Sequence, residues 1–515
     1  MRTTALFITL TIVSAFLSPV ATAQIAPDWV SSHRDGDEYT PIRHAVSPDG
    51  ATFAVASIEH NGGDDDIELV RFNPDGSLAW QRIWDGESDQ DIAAGVAVSA
   101  DGAWVYVLGR SSTLNFGDAD FVILKYDATS GELEWTEYWD AGDLRIESPQ
   151  WITALPDGGV VATGAAGTDG FKLDYGTVCL NANGTKRWDA TFRGSGRFLF
   201  DNDLAYFAEP TPDGGVVVFG LASLFNGSEF RTIKYDAQTG ATLWSKSYSL
   251  ATGPRDLAVA PNGDVVIFGE DPLGLDRRWV TIRYDGATGA QKWMRAIDPG
   301  QDEHAAAVMV DQAGDVYCTG STDPDGNDSN GNENWITASF DGDTGSIRWL
   351  DEWGPEGTAD YDSGTDLWIN GAGELMVVGF TSSQLYVGEP YERDAVIRRL
   401  DPATGVQSEM GLVDLSDTQT RWDIFKRVGF DAAGNAYVHG RSYGDVGVSD
   451  KVFLAKFADN ACLADFNNDG DVNTLDVLAF LNAWTAGDEA ADFNGDGSVN
   501  TLDVLAYLNA WTAGC

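Results

Sequence analysis

The sequence predicts a mainly β chain: an eight-bladed β-propeller, with a seven-bladed ring as the alternative, followed by a small α-helical module. Three observations carry this expectation. A unit of four short strand-like runs recurs along most of the chain, a glycine turn marks each unit, and residues 460–515 replace that pattern with two near-identical loop-and-helix segments. Four-stranded units at this period are what a propeller requires, since each becomes one radial sheet. The 515 residues include 80 acidic and 32 basic side chains, for a net charge of −48. Such a surface repels a phosphate backbone, which disfavours nucleic acid as a partner. Hydrophobic residues at 43% suffice for a large core. The 18 Trp and 58 Gly point to packed strands joined by tight turns.

Residues 1–23 read as an export signal. Arg2 supplies the charged start, Ala5 to Leu17 the apolar stretch, and Ala21-Thr22-Ala23 a small-residue cleavage site before Gln24. No later segment has the roughly 18 uninterrupted apolar residues that a spanning helix needs. The expectation is an exported product, secreted or cell-surface associated, with no membrane span.

Residues 24–459 hold the repeats. DFVILKYDATSGELEW (120–135), YDAQTGATLW (235–244) and YDGATGAQKW (284–293) show the second half of the unit. Hairpin glycines at Gly50, Gly102, Gly158, Gly214, Gly263, Gly314, Gly373 and Gly434 mark eight units at intervals of 49 to 61 residues. The array starts and stops out of phase. Trp29 opens it with an outer strand alone, and Val452 to Phe457 end it where an outer strand is due, so the two chain ends are expected to share one blade and leave no open sheet edge. Trp80, Trp135, Trp188, Trp244, Trp293 and Trp349 each follow a turn glycine by four residues, with Glu409 in that place in the seventh unit. Large aromatics at a fixed offset fill the wedge between neighbouring blades. The unit resembles the secreted bacterial propeller repeats related to the pyrroloquinoline quinone-binding group, a likeness of fold that does not assign a function.

Eleven residues before the hairpin glycines stand Tyr39, Asp91, Glu147, Asp203, Thr252, Glu303, Asp362 and Asp423. Six carboxylates at one offset form either a ring near the mouth of the central channel, suited to a cation, or a set of turn caps accepting backbone N–H groups. The Asp323 to Asn334 loop, DPDGNDSNGNEN, has the oxygen density of a calcium site without the regular spacing.

Residues 460–515 carry the most specific signal. DFNNDGDVNTLD (465–476) and DFNGDGSVNTLD (492–503) place oxygens where an EF-hand-like loop needs them. In the first loop these are Asp465, Asn467, Asp469, Asn473 and Asp476, with Asp471 offering its backbone carbonyl. In the second they are Asp492, Asn494, Asp496, Asn500 and Asp503, with Ser498 offering its carbonyl. Gly470 and Gly497 allow the sharp turn. Two calcium ions are therefore expected. A helix follows each loop, with Leu475, Leu478 and Trp484, and Leu502, Leu505 and Trp511, expected to supply its apolar contacts.

The tandem loops, the Asp at the twelfth position and the helix after each loop resemble a type I dockerin. That resemblance implies calcium-dependent folding and docking to a cohesin-like partner through residues near each helix start, here Thr474 and Leu475, and Thr501 and Leu502. The Thr-Leu pair departs from the Ser-Thr pair common in cellulosomal members. Cys462 and Cys515 bracket this module, where a disulfide would clasp the ends of a domain too small to rely on its core, whereas Cys179 and Cys318 fall on separate units as free thiols.

Two functions compete. One is a binding or scaffold propeller with an unknown glycan or protein ligand on its rim. The other is a carbohydrate-active hydrolase acting on O-glycosyl bonds in polysaccharide catabolism, since dockerin-like modules are often attached to such enzymes. The chain lacks an adjacent Cys pair, an S-x-D-x-G-x-x-W box and an H-E-x-x-H motif. Those absences favour the binding reading, and no catalytic residue is identifiable.

Overall fold

The computed structural model describes residues 23–24, 27–34, 43–60, 64–86, 90–112, 119–142, 147–169, 172–195, 202–225, 227–249, 251–273, 276–300, 302–323, 333–354, 361–369, 373–382, 393–413, 422–443, 451–457, 466–467, 473–486, 491, 493 and 499–513. Among them the strands fall into eight four-stranded antiparallel units arranged as a ring. Blade 2 is typical, running inner to outer as Gln90–Val98, Trp104–Ser112, Ala119–Asp127 and Leu133–Trp139. Blades 1 and 3 to 7 follow the same order between residues 43–84 and 148–413.

Blade 8 is assembled from both ends of the array. Trp422–Phe430, Ala436–Tyr443 and Lys451–Phe457 are completed by Trp29–Arg34, which pairs antiparallel in the register Trp29↔Lys456 to Arg34↔Lys451. The inner strand of blade 8 packs on blade 7 and on the inner strand of blade 1, Arg43–Val46, so the ring closes. A further two-residue strand, Ala23–Gln24, lies parallel to the outer strand of blade 7 at Glu409 and Met410.

Burial follows position in the blade. Second strands such as Leu375–Thr381 are buried at every residue because neighbouring blades cover both faces, which is why they read as continuous Val, Ile and Leu runs. The outer strand Leu78–Trp84 alternates instead, with one face in solvent. Each fully buried Val, Ile or Phe contributes about 1.5–3 kcal/mol, and the core is distributed around the ring in clusters shared by adjacent blades.

The repeated tryptophans are blade-to-blade latches. Each indole Nε1 donates to a carbonyl in the hairpin that joins the third and outer strands of the next blade: Trp80 to Thr129 (3.1 Å), Trp135 to Ala182 (3.2 Å), Trp188 to Ala237 (2.9 Å), Trp244 to Gly286 (2.9 Å), Trp293 to Gly342 (2.7 Å) and Trp349 to Pro402 (2.8 Å). Trp29 extends the series across the closure to Pro74 (3.1 Å). Each ring lies over the hairpin glycine. At Gly240, φ is +71° and a Cβ would sit 2.8 Å from the Trp188 ring, so both the backbone conformation and the space exclude a side chain.

Candidate functional site

The C-terminal module is built on two helices, α1 (Thr474–Ala486) and α2 (Thr501–Ala513). Asn473 and Asn500 cap them, their Oδ1 atoms accepting from the Leu475 and Leu502 N–H groups at 2.8 Å. The halves grip each other reciprocally: Trp484 Nε1 donates to Asn500 O (2.7 Å) and Trp511 Nε1 to Asn473 O (3.0 Å). Between them Phe480 and Tyr507, both 0% exposed, stack with centroids 4.2 Å apart, edged by Phe466 and Phe493.

This core corrects one expectation from the sequence. Trp484 and Trp511 pack inside, but Leu475, Leu478, Leu502 and Leu505 are 55–58% exposed. Val477, Phe480 and Ala483, with Val504 and Tyr507, take the internal positions instead. The helix is apolar on almost every side, so spacing alone did not say which face is inward. Thr474 and Thr501 are exposed beside the leucines, which leaves the four expected recognition positions on the surface.

Of the expected calcium ligands, Asn467, Asn473, Asp476, Asn500 and Asp503 are described. Asp465, Asp469, Asp471, Asp492, Asn494, Asp496 and Ser498 lie outside the described residues, as do Cys462 and Cys515. The donor chemistry fits calcium. Asp476 and Asp503 are 0% exposed although each ends a loop rich in acids. Asp476 folds back over its loop, accepting N–H from Asn467 (3.1 Å) and Asn473 (2.7 Å), and Asp503 accepts from Asn500 (2.7 Å). The Asp476 carboxylate thus faces its loop interior, where a hard cation takes oxygen ligands.

In the propeller, the carboxylates eleven residues before the hairpin glycines are buried, at 0–2% exposure, and sit at blade junctions instead of facing an open channel mouth. Their backbone N–H groups bond to the third strand of the preceding blade: Glu147 to Ala119 O (2.7 Å), Asp203 to Leu173 O (2.7 Å), Asp362 to Glu333 O (2.9 Å) and Asp423 to Arg393 O (2.7 Å). Their side chains cap the turn that leaves the preceding outer strand. Asp91 accepts from Gly86 N (2.6 Å), Asp203 from Gly194 N (2.5 Å) and Glu303 from Gly300 N (2.8 Å). Burial, reinforced by Asp120 and Asp140, pushes Glu147 up to about 8. Tyr39 and the loop 324–332 lie outside the described residues.

A cavity of about 1630 Å³, which no motif signalled, lies in the central channel toward the rim of the glycine turns. Glu209, Asp366, Trp368 and Phe430 are among its walls. Trp368, 41% exposed, stacks on Phe430 at 4.6 Å. Trp368 stands outside the latch series, but so do Trp84, Trp104, Trp139 and others, so its position in the sequence did not mark it. Inner strands also bring Arg43 and Arg427 over Trp151, at 4.3 and 5.8 Å. Burial opposes the charge on Arg427, but Asp366, Asp256 and Glu209 outweigh it and raise its pKa. Burial, with Asp256, pushes Glu209 up to about 8. The arrangement is an aromatic and charged channel wall that can hold a ligand by stacking and hydrogen bonding.

Gly440-Arg441-Ser442-Tyr443-Gly444 spells G-x-S-x-G, the pattern of a nucleophile elbow. An elbow needs a strand-to-helix turn that exposes the hydroxyl, whereas Ser442 lies within the strand Ala436–Tyr443 and is 2% exposed. Cys179 and Cys318 are buried free thiols, and burial raises both pKa values. No helix among the described residues is long and apolar enough to cross a membrane.

Comparison with known proteins agrees with this division. Residues 119–357 match the family model described as outer membrane protein assembly factor BamB, and residues 463–510 match the type I dockerin domain. No curated protein sequence matches the chain. Among solved structures, Sqt1 of Chaetomium thermophilum, bound to the N-terminus of ribosomal protein L10, is 12% identical with a TM-score of 0.52, covering 84% of this chain and 100% of its own. The C-terminal WD40 domain of Sif2 is 11% identical with a TM-score of 0.50, covering 84% and 99%. The quinohemoprotein alcohol dehydrogenase ADHIIG of Pseudomonas putida HK5 is 13% identical with a TM-score of 0.48, covering 84% and 76%. The chain is a β-propeller protein in which residues 119–357 carry BamB-like repeats and residues 463–510 a type I dockerin domain, whose family binds calcium.

Proposed function

We propose that this is an exported binding subunit: a propeller that presents a ligand-binding face and is attached to a larger extracellular or cell-surface assembly by its dockerin. The observation that supports this most directly is the pair of exposed Thr-Leu helix starts, Thr474-Leu475 and Thr501-Leu502, each capped beside a buried loop-closing Asp. When bound, calcium supplies positive charge that turns the acidic loops from mutually repelling segments into a fixed turn. Asp465, Asn467, Asp469, Asp471 O, Asn473 and Asp476 would hold one ion, and Asp492, Asn494, Asp496, Ser498 O, Asn500 and Asp503 the other. Exposed leucines then form the apolar part of a docking surface for a cohesin-like protein, and the Trp368 platform and charged channel wall offer a place for a glycan or protein segment.

Calorimetric titration of the full chain against a panel of type I cohesin domains tests the attachment role. Binding is expected in calcium and not in chelator, and Leu475→Asp with Leu502→Asp should abolish it while leaving the helices formed. If no cohesin binds a chain whose C-terminal helices are formed in calcium, the attachment role fails.

A further inference from the structure

Two adjacent blade junctions carry the same constellation of three carboxylates. Between blades 1 and 2 it is Asp66, Asp85 and Asp91; between blades 2 and 3 it is Asp120, Asp140 and Glu147. The positions are equivalent. Asp66 and Asp120 stand six residues before the equivalent third-strand aromatics Phe72 and Tyr126, Asp85 and Asp140 follow the last Trp of the outer strand, and Asp91 and Glu147 enter the next inner strand. In each trio one oxygen per carboxylate lies within 4.8 Å of the others. Oxygens on opposite sides of one calcium ion, each at about 2.4 Å, stand about 4.8 Å apart. Each trio therefore fits around a single ion.

Two independent observations point to a ligand. Glu147 is 0% exposed; its Oε1 accepts from Gly167 N (3.3 Å) and the Ala141 N–H also lies against the carboxyl, while its Oε2 is buried without a close hydrogen-bond partner. A buried carboxylate oxygen left in that state is costly unless the group is protonated or a cation meets it, and a cation restores the charge that Asp120 and Asp140 otherwise oppose. The next junction supplies the comparison. Between blades 3 and 4 the equivalent residues are Asp174, Arg193 and Asp203. Arg193 replaces the middle carboxylate, and its Nε donates to both oxygens of Asp174 at 3.1 and 2.9 Å. Where the trio loses one acid, a built-in cation occupies the junction.

We infer that the junctions between blades 1 and 2 and between blades 2 and 3 are calcium sites that clamp neighbouring blades. The ligands are oxygen only, which selects a hard cation, and the remaining positions around calcium are open to water or backbone carbonyls. These sites are distinct from the C-terminal loops and do not depend on them.

Calcium stoichiometry and thermal unfolding of the full chain test the inference, in a background where Asp476→Ala and Asp503→Ala disable both C-terminal loops. After chelation and retitration with calcium chloride, this chain is expected to hold about two ions, and its propeller transition should rise on adding calcium. Glu147→Gln, which retains an acceptor for Gly167, should remove one of the two. Asp140→Arg copies the third junction. It should also remove one ion, and in chelator it should melt above its parent. A chain that takes up no calcium while its propeller transition is intact overturns the inference. So does Glu147→Gln with undiminished stoichiometry, or Asp140→Arg with no gain in chelator.

Discussion

Trp188 links local sequence to ring stability through two separable contributions. Its buried ring covers Gly240 and its indole N–H bonds to Ala237 O, so the two contributions can be removed one at a time. Trp188→Phe keeps most of the ring and loses the bond, an expected cost of about 1 kcal/mol. Trp188→Ala also opens a cavity, at about 3–5 kcal/mol; urea unfolding of the propeller measures both. Glu209 makes a prediction about pH. Folding raises its pKa from the ordinary carboxylate value to about 8 through burial and Asp256. Its contribution to stability is thus fully present below about pH 4.5 and is lost as pH climbs through 8. Glu209→Gln cannot ionise, so it should melt above the parent at pH 8, with the difference vanishing near pH 4.5. A constant offset across that range would show that the group titrates normally.

At the scale of elements, the repeat was legible because each blade needs the same turn glycine and the same latch tryptophan at the same offset. The exception in the seventh unit has a structural reason. A latch grips the hairpin between the third and outer strands of the next blade, but in blade 8 those strands, Lys451–Phe457 and Trp29–Arg34, come from opposite ends of the array. Residue 409 has no such hairpin to grip. Glu409 instead pairs with Arg399 at 3.2 Å, and that guanidinium is 5% exposed. Glu409→Trp should therefore destabilise blade 7 by about 1–3 kcal/mol, as expected when a buried charged group loses a partner; a higher melting temperature would refute this account. Contacts across elements were less legible. The offset of Asp91, Glu147 and their counterparts was visible, but Asp66 and Asp120, which complete each junction, come from the third strand, 25 and 27 positions earlier. Similarly, an apolar pattern on nearly every side of α1 hid the difference between Val477, which packs inward, and Leu478, which faces solvent.

For the whole molecule, the out-of-phase ends make closure a matter of a single strand. Trp29–Arg34 contributes the outer strand of blade 8 and, through Trp29, the latch onto blade 1, so removing it costs a sheet edge and a blade junction together. An unpaired edge along Lys451–Phe457 is also a template for pairing with another chain. Deleting residues 24–34 should accordingly broaden the unfolding transition and promote association, measured by calorimetry and light scattering. Truncation at residue 459 makes the opposite case, because the closing strand and every latch from Trp29 to Trp349 lie within the retained residues. The truncated chain should keep the propeller transition and its cooperativity while losing the signal of α1 and α2. If the deletion of 24–34 leaves the transition unchanged, closure does not rest on that strand. If truncation abolishes the transition, the ring is not a self-contained folding unit.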